Sequence, residues 1–295
     1  MTPSHYAYLK ISEGCDNECS FCSIPLMRGL QQSQPIAWNV MEAQRLVDNG
    51  VKEILVIGQD TTTYGWDFEV KKGIHNLFDE LNKIEKLEWL RFHYAHPAHL
   101  NKKMIERYGT LERLIPYIDM PVQHGSEKML ADMRRGLGPD GIKKRIDMLR
   151  EIRPEIAIRT SIIVGFPGEG DQEFQELLDF IEEIQFDRLG VFTYSEEEGT
   201  HGADVYSDDV PKEVKEQRRD EVMMLQQKIN HQKNKDLVGS TQKVLVDHCN
   251  AEGVSLGRTY RDSPEIDNYV KIKKKIEPGS FCDVKITDAL EYDLI

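Results

Sequence analysis

Between residues 5 and 194 short β-branched or aromatic runs alternate with segments of helical period, and this alternation constrains the fold more than any other feature. Consecutive strands joined through helices run parallel, and a parallel sheet needs helices over its faces. The expected strands are residues 5–11, 53–57, 88–94, 115–120, 157–164 and 187–194. Between and after them helices are expected over residues 35–49, 74–86, 101–108, 127–134 (capped by Ser126), 140–150 and 171–184. Six strand-and-helix units fall short of the eight that close a barrel, so the expectation is an α/β fold in the form of an open, partial barrel.

From Pro211 to Leu237 the chain is charged and helical in period, with Val214, Val222, Leu225 and Ile229 apolar, which reads as a connecting helix. After Gly239 the texture changes to short alternating runs at residues 243–247, 253–258, 269–272 and 281–286, broken by Gly and Pro. A small all-β barrel follows from that pattern, and the chain divides into residues 1–230 and 231–295. With 295 residues and 39% hydrophobic content there is enough chain for a large core and a small one. No run of about twenty apolar residues offers a membrane span, and residues 1–5 lack the basic start and apolar run of a signal peptide. The expectation is a cytoplasmic chain without membrane association. The net charge of −13 speaks against a positively charged nucleic-acid coat. It fits plain solubility, and it is also compatible with a basic protein partner.

Three of the five cysteines, Cys15, Cys19 and Cys22, lie within eight positions, spaced by three and then two residues. Thiolates at that spacing can converge on one centre and are the soft ligands that iron–sulfur chemistry selects. Structural zinc asks for four ligands, commonly as two separated pairs, and no fourth Cys or His completes that pattern nearby. A disulfide-bearing or merely buried loop fits a tight, odd set of three poorly. A four-iron cluster on three cysteines leaves one iron open to a small molecule. Cys249 and Cys282 lie far away in sequence and are expected to pack in the core of the small barrel.

This loop, with the aromatic Phe21 just before its last cysteine, resembles the CxxxCxΦC loop of the radical S-adenosylmethionine (SAM) enzymes. The resemblance implies a partial (β/α)6 TIM-like barrel, a 4Fe-4S cluster on Cys15, Cys19 and Cys22, and SAM chelating the open iron with Phe21 near its adenine. In such sheets ligands sit at the carboxyl ends of the strands, so the residues just after each strand are candidates. Gln59 and Asp60, after the second strand, can take the ammonium of SAM or simply form a turn. Gln123 and His124, after the fourth, can bond ribose or substrate, or satisfy local backbone. The fifth strand leads through Ile163 into Gly165-Phe166-Pro167-Gly168, whose glycines allow close approach to a planar ligand and which resembles the adenine-side loop of that superfamily. Arg159 either meets a carboxylate or forms a surface ion pair. His93, His96 and His99 read as structural.

Nearly the whole chain is similar to the radical SAM methylthiotransferases, which end in a small OB-like barrel called the TRAM domain. Cys22–Gly29, Gln59-Asp60-Thr61-Thr62, residues 194–200, Gly257-Arg258-Thr259 and residues 263–267 resemble the branch that modifies an aspartate of ribosomal protein S twelve. The resemblance implies that an electron from the cluster breaks a carbon–sulfur bond of SAM and that the resulting radical takes hydrogen from the aspartate β-carbon. It further implies an electron donor and a basic ribosomal protein as partners. Two departures stand out. Gln32 and Gln34 occupy places where the family carries arginines. The family also usually begins with a domain holding three more cysteines, so an auxiliary cluster is expected there and not in this chain. A tRNA (adenosine) methylthiotransferase and a non-catalytic ribosomal-protein docking fragment are the alternatives. From Gly239 onward eight bases face ten acids, a mildly acidic balance that makes tRNA the less favoured partner.

Overall fold

The computed structural model describes residues 3–70 and 72–295. In chain order its first unit contains β1 (Tyr6–Lys10), β2 (Ser12–Glu13), α1 (Ile24–Arg28), β3 (Gln32–Ser33), α2 (Ile36–Asp48), β4 (Glu53–Ile57), α3 (Ile74–Leu81) and β5 (Trp89–Phe92). Next come α4 (Lys102–Thr110), β6 (Leu114–Asp119), α5 (Glu127–Asp132), α6 (Pro139–Ile152), β7 (Ala157–Val164), α7 (Asp171–Ile184), β8 (Arg188–Thr193), α8 (His201–Val205) and α9 (Lys212–Asp236). The last strands are β9 (Thr241–Cys249), β10 (Ser255–Arg258), β11 (Val270–Ile272) and β12 (Phe281–Lys285).

Six strands form one sheet in the order β1-β4-β5-β6-β7-β8, every neighbouring pair parallel. Ile54, Leu55 and Val56 are fully buried in succession, the uninterrupted apolar run that a strand covered on both faces requires. Among the described residues β1 and β8 do not pair with each other, so the sheet stays open, as six units imply. The helices start where local chemistry allows. Pro35 precedes α2, Asn101 accepts the Met104 N–H at the start of α4, and the Glu173 carboxylate accepts the Gly170 N–H at the start of α7.

Some expectations are corrected. Helix α3 stops at Leu81 rather than at residue 86: the chain tightens into i,i+3 turns, with Lys83 N–H on the Glu80 carbonyl and Ile84 N–H on the Leu81 carbonyl, while Asn82 Oδ1 accepts the Arg113 N–H at 3.0 Å. Ser126 stands before α5 but makes no capping hydrogen bond. The expected connecting helix is α9, and it is more than a connector. It packs along β8 and α7, buries Val222 and Ile229 in the main core, and runs through residue 230 to Asp236.

The last four strands form an antiparallel sheet in the order β11-β10-β9-β12 around Val244, Val270, Ile286 and Leu294. Cys282 packs against that cluster. Cys249 does not. It is the last residue of β9, half-buried, with its Sγ toward the Asn250 carbonyl at the sheet's end. The loop between β10 and β11 leaves the small sheet and enters the first unit. There Tyr6 Oη donates to Glu265 (2.7 Å), Arg188 pairs with Asp262, and Arg159 pairs with Asp267 (3.3 Å).

Candidate active site

The carboxyl ends of the six strands open on a cavity of about 550 Å³. Cys15, Cys19 and Cys22 all line it, and all three are free thiols. The loop that carries them is held by backbone rather than by side-chain bulk. Gly14 has φ +78, and a Cβ there would meet the Leu30 carbonyl oxygen at 2.3 Å, so the chain can cross at this point only as glycine. Cys15 N–H donates to the Gly29 carbonyl and Cys22 N–H to the Cys19 carbonyl, each at 3.1 Å. Ser20 binds the end of α5 twice, through N–H to the Met133 carbonyl and through Oγ to the Asp132 carbonyl.

Burial pushes the Cys15 thiol up to about 11, with Asp60, Cys19 and Cys22 adding to the rise, and burial raises Cys22 as well. A centre that holds them as thiolates therefore has to bring positive charge with it. One zinc ion with bonds of about 2.3 Å would draw tetrahedral sulfurs to roughly 3.8 Å from one another. Among the described residues Asp60, His96 and His99 are the one set of three whose ligand atoms all lie within 4.8 Å of one another. Three soft donors on one open cavity wall fit a multi-iron cluster with one iron free of protein ligands.

Period-two alternation along β7 turns Arg159, Ser161 and Ile163 into the cavity and Ile158, Thr160, Ile162 and Val164 into the core. Phe21, Gln59 and Gln123 line the same space. Gln59 Oε1 is buried there without a hydrogen-bond partner among the described residues, an acceptor suited to an ammonium group. Gln123 holds left-handed backbone (φ 74) while its N–H and carbonyl bridge to Ser161 and Ile163 of β7, which fixes its side chain at the rim.

Three sequence candidates, Asp60, Gly165 and His124, do not line the cavity. Asp60 faces the underside of the cysteine loop, where Asn17 Nδ2 and His99 Nδ1 lie 2.8 Å from its Oδ2, and Thr62 N–H donates to Oδ1 at 2.9 Å. Burial raises this carboxyl, but the hydrogen bonds from His99, Thr62 and Asn17 outweigh it and hold it below the usual range. It braces the loop. Gly165 (φ +73) turns its bare face to Lys215 of α9, whose Cγ lies 2.2 Å from where a Cβ would sit, so a neighbouring helix fills the space. His124 also points away, its ring between Glu169 and the Ser126 N–H.

Some cavity residues differ from their sequence reading. Arg159 is no surface ion pair. Only 15% of its side chain is exposed, and it lies between Asp119 (3.0 Å) and Asp267 (3.3 Å). His93 and His96, expected to be structural, line the cavity, although His93 Nε2 also meets Ser263 Oγ at 3.1 Å. Arg135 and Ile266 complete the wall. No spacing in the sequence announces either, because one follows a short helix and the other comes from the second unit.

Comparison with known proteins agrees with this geometry. Residues 9–181 match the model of the radical SAM superfamily, and residues 238–295 match that of the TRAM domain. Over 296 residues the chain is 44% identical to the ribosomal protein uS12 methylthiotransferase RimO of Clostridioides difficile (strain 630), covering 100% of this chain and 66% of that protein. It is 45% identical to the protein of the same name from Caldanaerobacter subterraneus subsp. tengcongensis, covering 100% and 67%. The chain thus spans about two thirds of the length of these curated relatives. Among solved structures it resembles the Escherichia coli coproporphyrinogen III oxidase HemN, a radical SAM enzyme (TM-score 0.57, 18% identity, 76% of this chain and 53% of that one). It also resembles the radical SAM methyltransferase TsrM of Kitasatospora setae, solved with cobalamin and a 4Fe-4S cluster bound (TM-score 0.57, 14% identity, 67% and 38%). At those identities the likeness concerns the fold alone. With its three cysteines on one cavity at the strand ends, the chain belongs to the radical SAM superfamily, within the methylthiotransferase family of these curated relatives, and carries a TRAM domain.

Proposed function

We propose that this chain is the SAM-cleaving core and substrate-docking part of a methylthiotransferase that acts on the β-carbon of an aspartate in ribosomal protein uS12. One observation carries the proposal: three cysteine thiols share a cavity with residues of both units, in a chain 44% identical along its whole length to proteins of that name. When bound, the cluster and SAM supply a one-electron cleavage that yields a hydrogen-abstracting carbon radical. The chain's own residues do the rest. Cys15, Cys19 and Cys22 hold the cluster, Gln59 Oε1 accepts from the SAM ammonium, and Phe21 and Ile163 give apolar faces for the adenine. Tyr94, Phe192 and Ile266 line the cavity as exposed apolar side chains that a substrate can cover. An external one-electron donor and the basic uS12 protein are the partners, the cytoplasm is the place of action, and α9 joins the units 1–230 and 231–295.

After anaerobic reconstitution the chain is expected to carry about four irons, lost in Cys19→Ala. With dithionite it should cleave SAM, whereas methylthiolation of a uS12 peptide is expected to need a second cluster, for which residues 1–295 hold no second cysteine triad. Zinc in place of iron in protein purified without oxygen would overturn the assignment. The exposed run Lys273-Lys274-Lys275 favours tRNA as a second reading. Titration of the chain with tRNA and with uS12 separates the two. Tighter tRNA binding, with a steep salt dependence abolished by neutralising these lysines, would decide for tRNA.

A further inference from the structure

Arg135 is buried, 6% exposed, just past the end of α5. Its Nη1 donates to Cys19 Sγ at 3.1 Å and its Nη2 to the Pro121 carbonyl at 2.7 Å, while Nε has no partner among the described residues. A buried guanidinium is costly without a counter-charge. Other deeply buried arginines have one: Arg91 pairs with Glu53, Arg258 with Glu53 and Asp247, Arg188 with Asp262, and Arg218 with Glu169. Among the described residues Arg135 has no carboxylate within ion-pair distance. Its one soft partner is the sulfur of Cys19. As a ligand of the cluster assigned above, Cys19 would present that sulfur as a thiolate, so the centre it ligates supplies the counter-charge that no carboxylate among the described residues gives Arg135. By contrast, Cys15 Sγ receives only the neutral Asn17 N–H, at 3.5 Å.

We propose that Arg135 is a positioning residue that sets the reduction potential of the cluster through Cys19. The inference rests on the cluster assignment above and on nothing about the substrate. Reduction adds one electron from a one-electron donor to the centre, with no bond made or broken at Cys19, and leaves more negative charge on its sulfurs. A fixed cation and an N–H donor at one of those sulfurs favour the reduced form, because hydrogen bonds and net charge at the ligand sulfurs are what tune such potentials. The anchor to Pro121 holds the fork in place, so the second nitrogen stays aimed at the sulfur.

The test is an EPR-monitored redox titration of the reconstituted chain and of Arg135→Lys, Arg135→Gln and Arg135→Met, without SAM and with dithionite as donor. At a fixed poise the ratio of reduced to oxidised cluster is expected to fall about tenfold in Arg135→Met, which for a one-electron couple is about 59 mV. Arg135→Lys, which keeps the charge, should lie between. Equal potentials in all variants that hold iron would overturn the proposal. If the variants lose iron, the wild-type chain labelled with 15N in its arginine guanidinium groups decides. Pulsed EPR of the reduced cluster should show a 15N coupling, and its absence is the contrary result. Iron content is read separately, so failure of the cluster assignment is distinguishable from failure of the role given to Arg135.

Discussion

His96 shows how the cavity shapes a single side chain. It is 8% exposed, stacked on His99 with ring centroids 4.6 Å apart, and burial, followed by the nearby Arg135 charge, pushes its imidazole down to about 3. An unfolded histidine titrates near 6.5. Between those two values the unfolded chain takes a proton that the folded chain refuses, so stability falls as pH drops below about 6.5 and is unaffected above it. The loss approaches about 1.4 kcal/mol per pH unit. Urea unfolding at pH 7.5 and 5.5 should therefore show a smaller pH dependence in His96→Gln than in the wild-type chain, and an identical dependence in both would show that another group is responsible. The histidine itself was visible in the sequence, but the burial that changes its chemistry was not, because it comes from residues up to forty positions away.

Among elements, α9 carries the clearest lesson. Its period was legible, and its charged, weakly apolar composition read only as a connecting helix. Lys215 and Arg218 are in fact buried, Arg218 against Glu169 and Asp171, and Lys215 against Asp208 and the Tyr194 carbonyl. The helix thus seals the loop after β7 from behind. That close contact with Lys215, together with a left-handed backbone, is why Gly165 is glycine. Gly165→Ala combines a left-handed backbone with a blocked Cβ and should cost about 1–3 kcal/mol. Denaturant unfolding checks this, and a cost below about 0.5 kcal/mol would mean that Lys215 moves aside freely.

At the scale of the molecule the two units are locked by buried charge. Arg258 is fully buried and holds Glu53 at 2.8 Å and Asp247 at 2.6 Å, and Glu53 also holds Arg91 at 2.6 Å. Burial raises the Glu53 carboxyl, and the two guanidinium groups more than offset that and keep it below the usual range. Removing one partner leaves a charge buried and uncompensated. Arg258→Leu is therefore expected to cost about 3–5 kcal/mol, measured by thermal or urea unfolding. A chain ending at residue 239 would take Arg258 from Glu53, Asp267 from Arg159 and Asp262 from Arg188, and should be aggregated or partly unfolded by size exclusion and circular dichroism. A monomeric, cooperatively folding product would show that the first unit does not depend on the second. The same loop that locks the units puts Ile266 in the cavity wall, so the barrel shapes the site as well as docking to it.

By itself the sequence determined the order of strands and helices, the open six-strand sheet, the antiparallel strands after Gly239 and the cysteine loop. Each of these is written in local period, turn chemistry or spacing, which act over a few residues. Only the tertiary structure decided that Asp60 braces the loop from below, that Arg159 sits half-buried between Asp119 and Asp267, that Arg135 faces Cys19 and that residues 259–268 of the second unit enter the first. Those outcomes depend on desolvation and charge pairing between residues brought together from distant parts of the chain, and no local pattern encodes which buried charge will meet which partner.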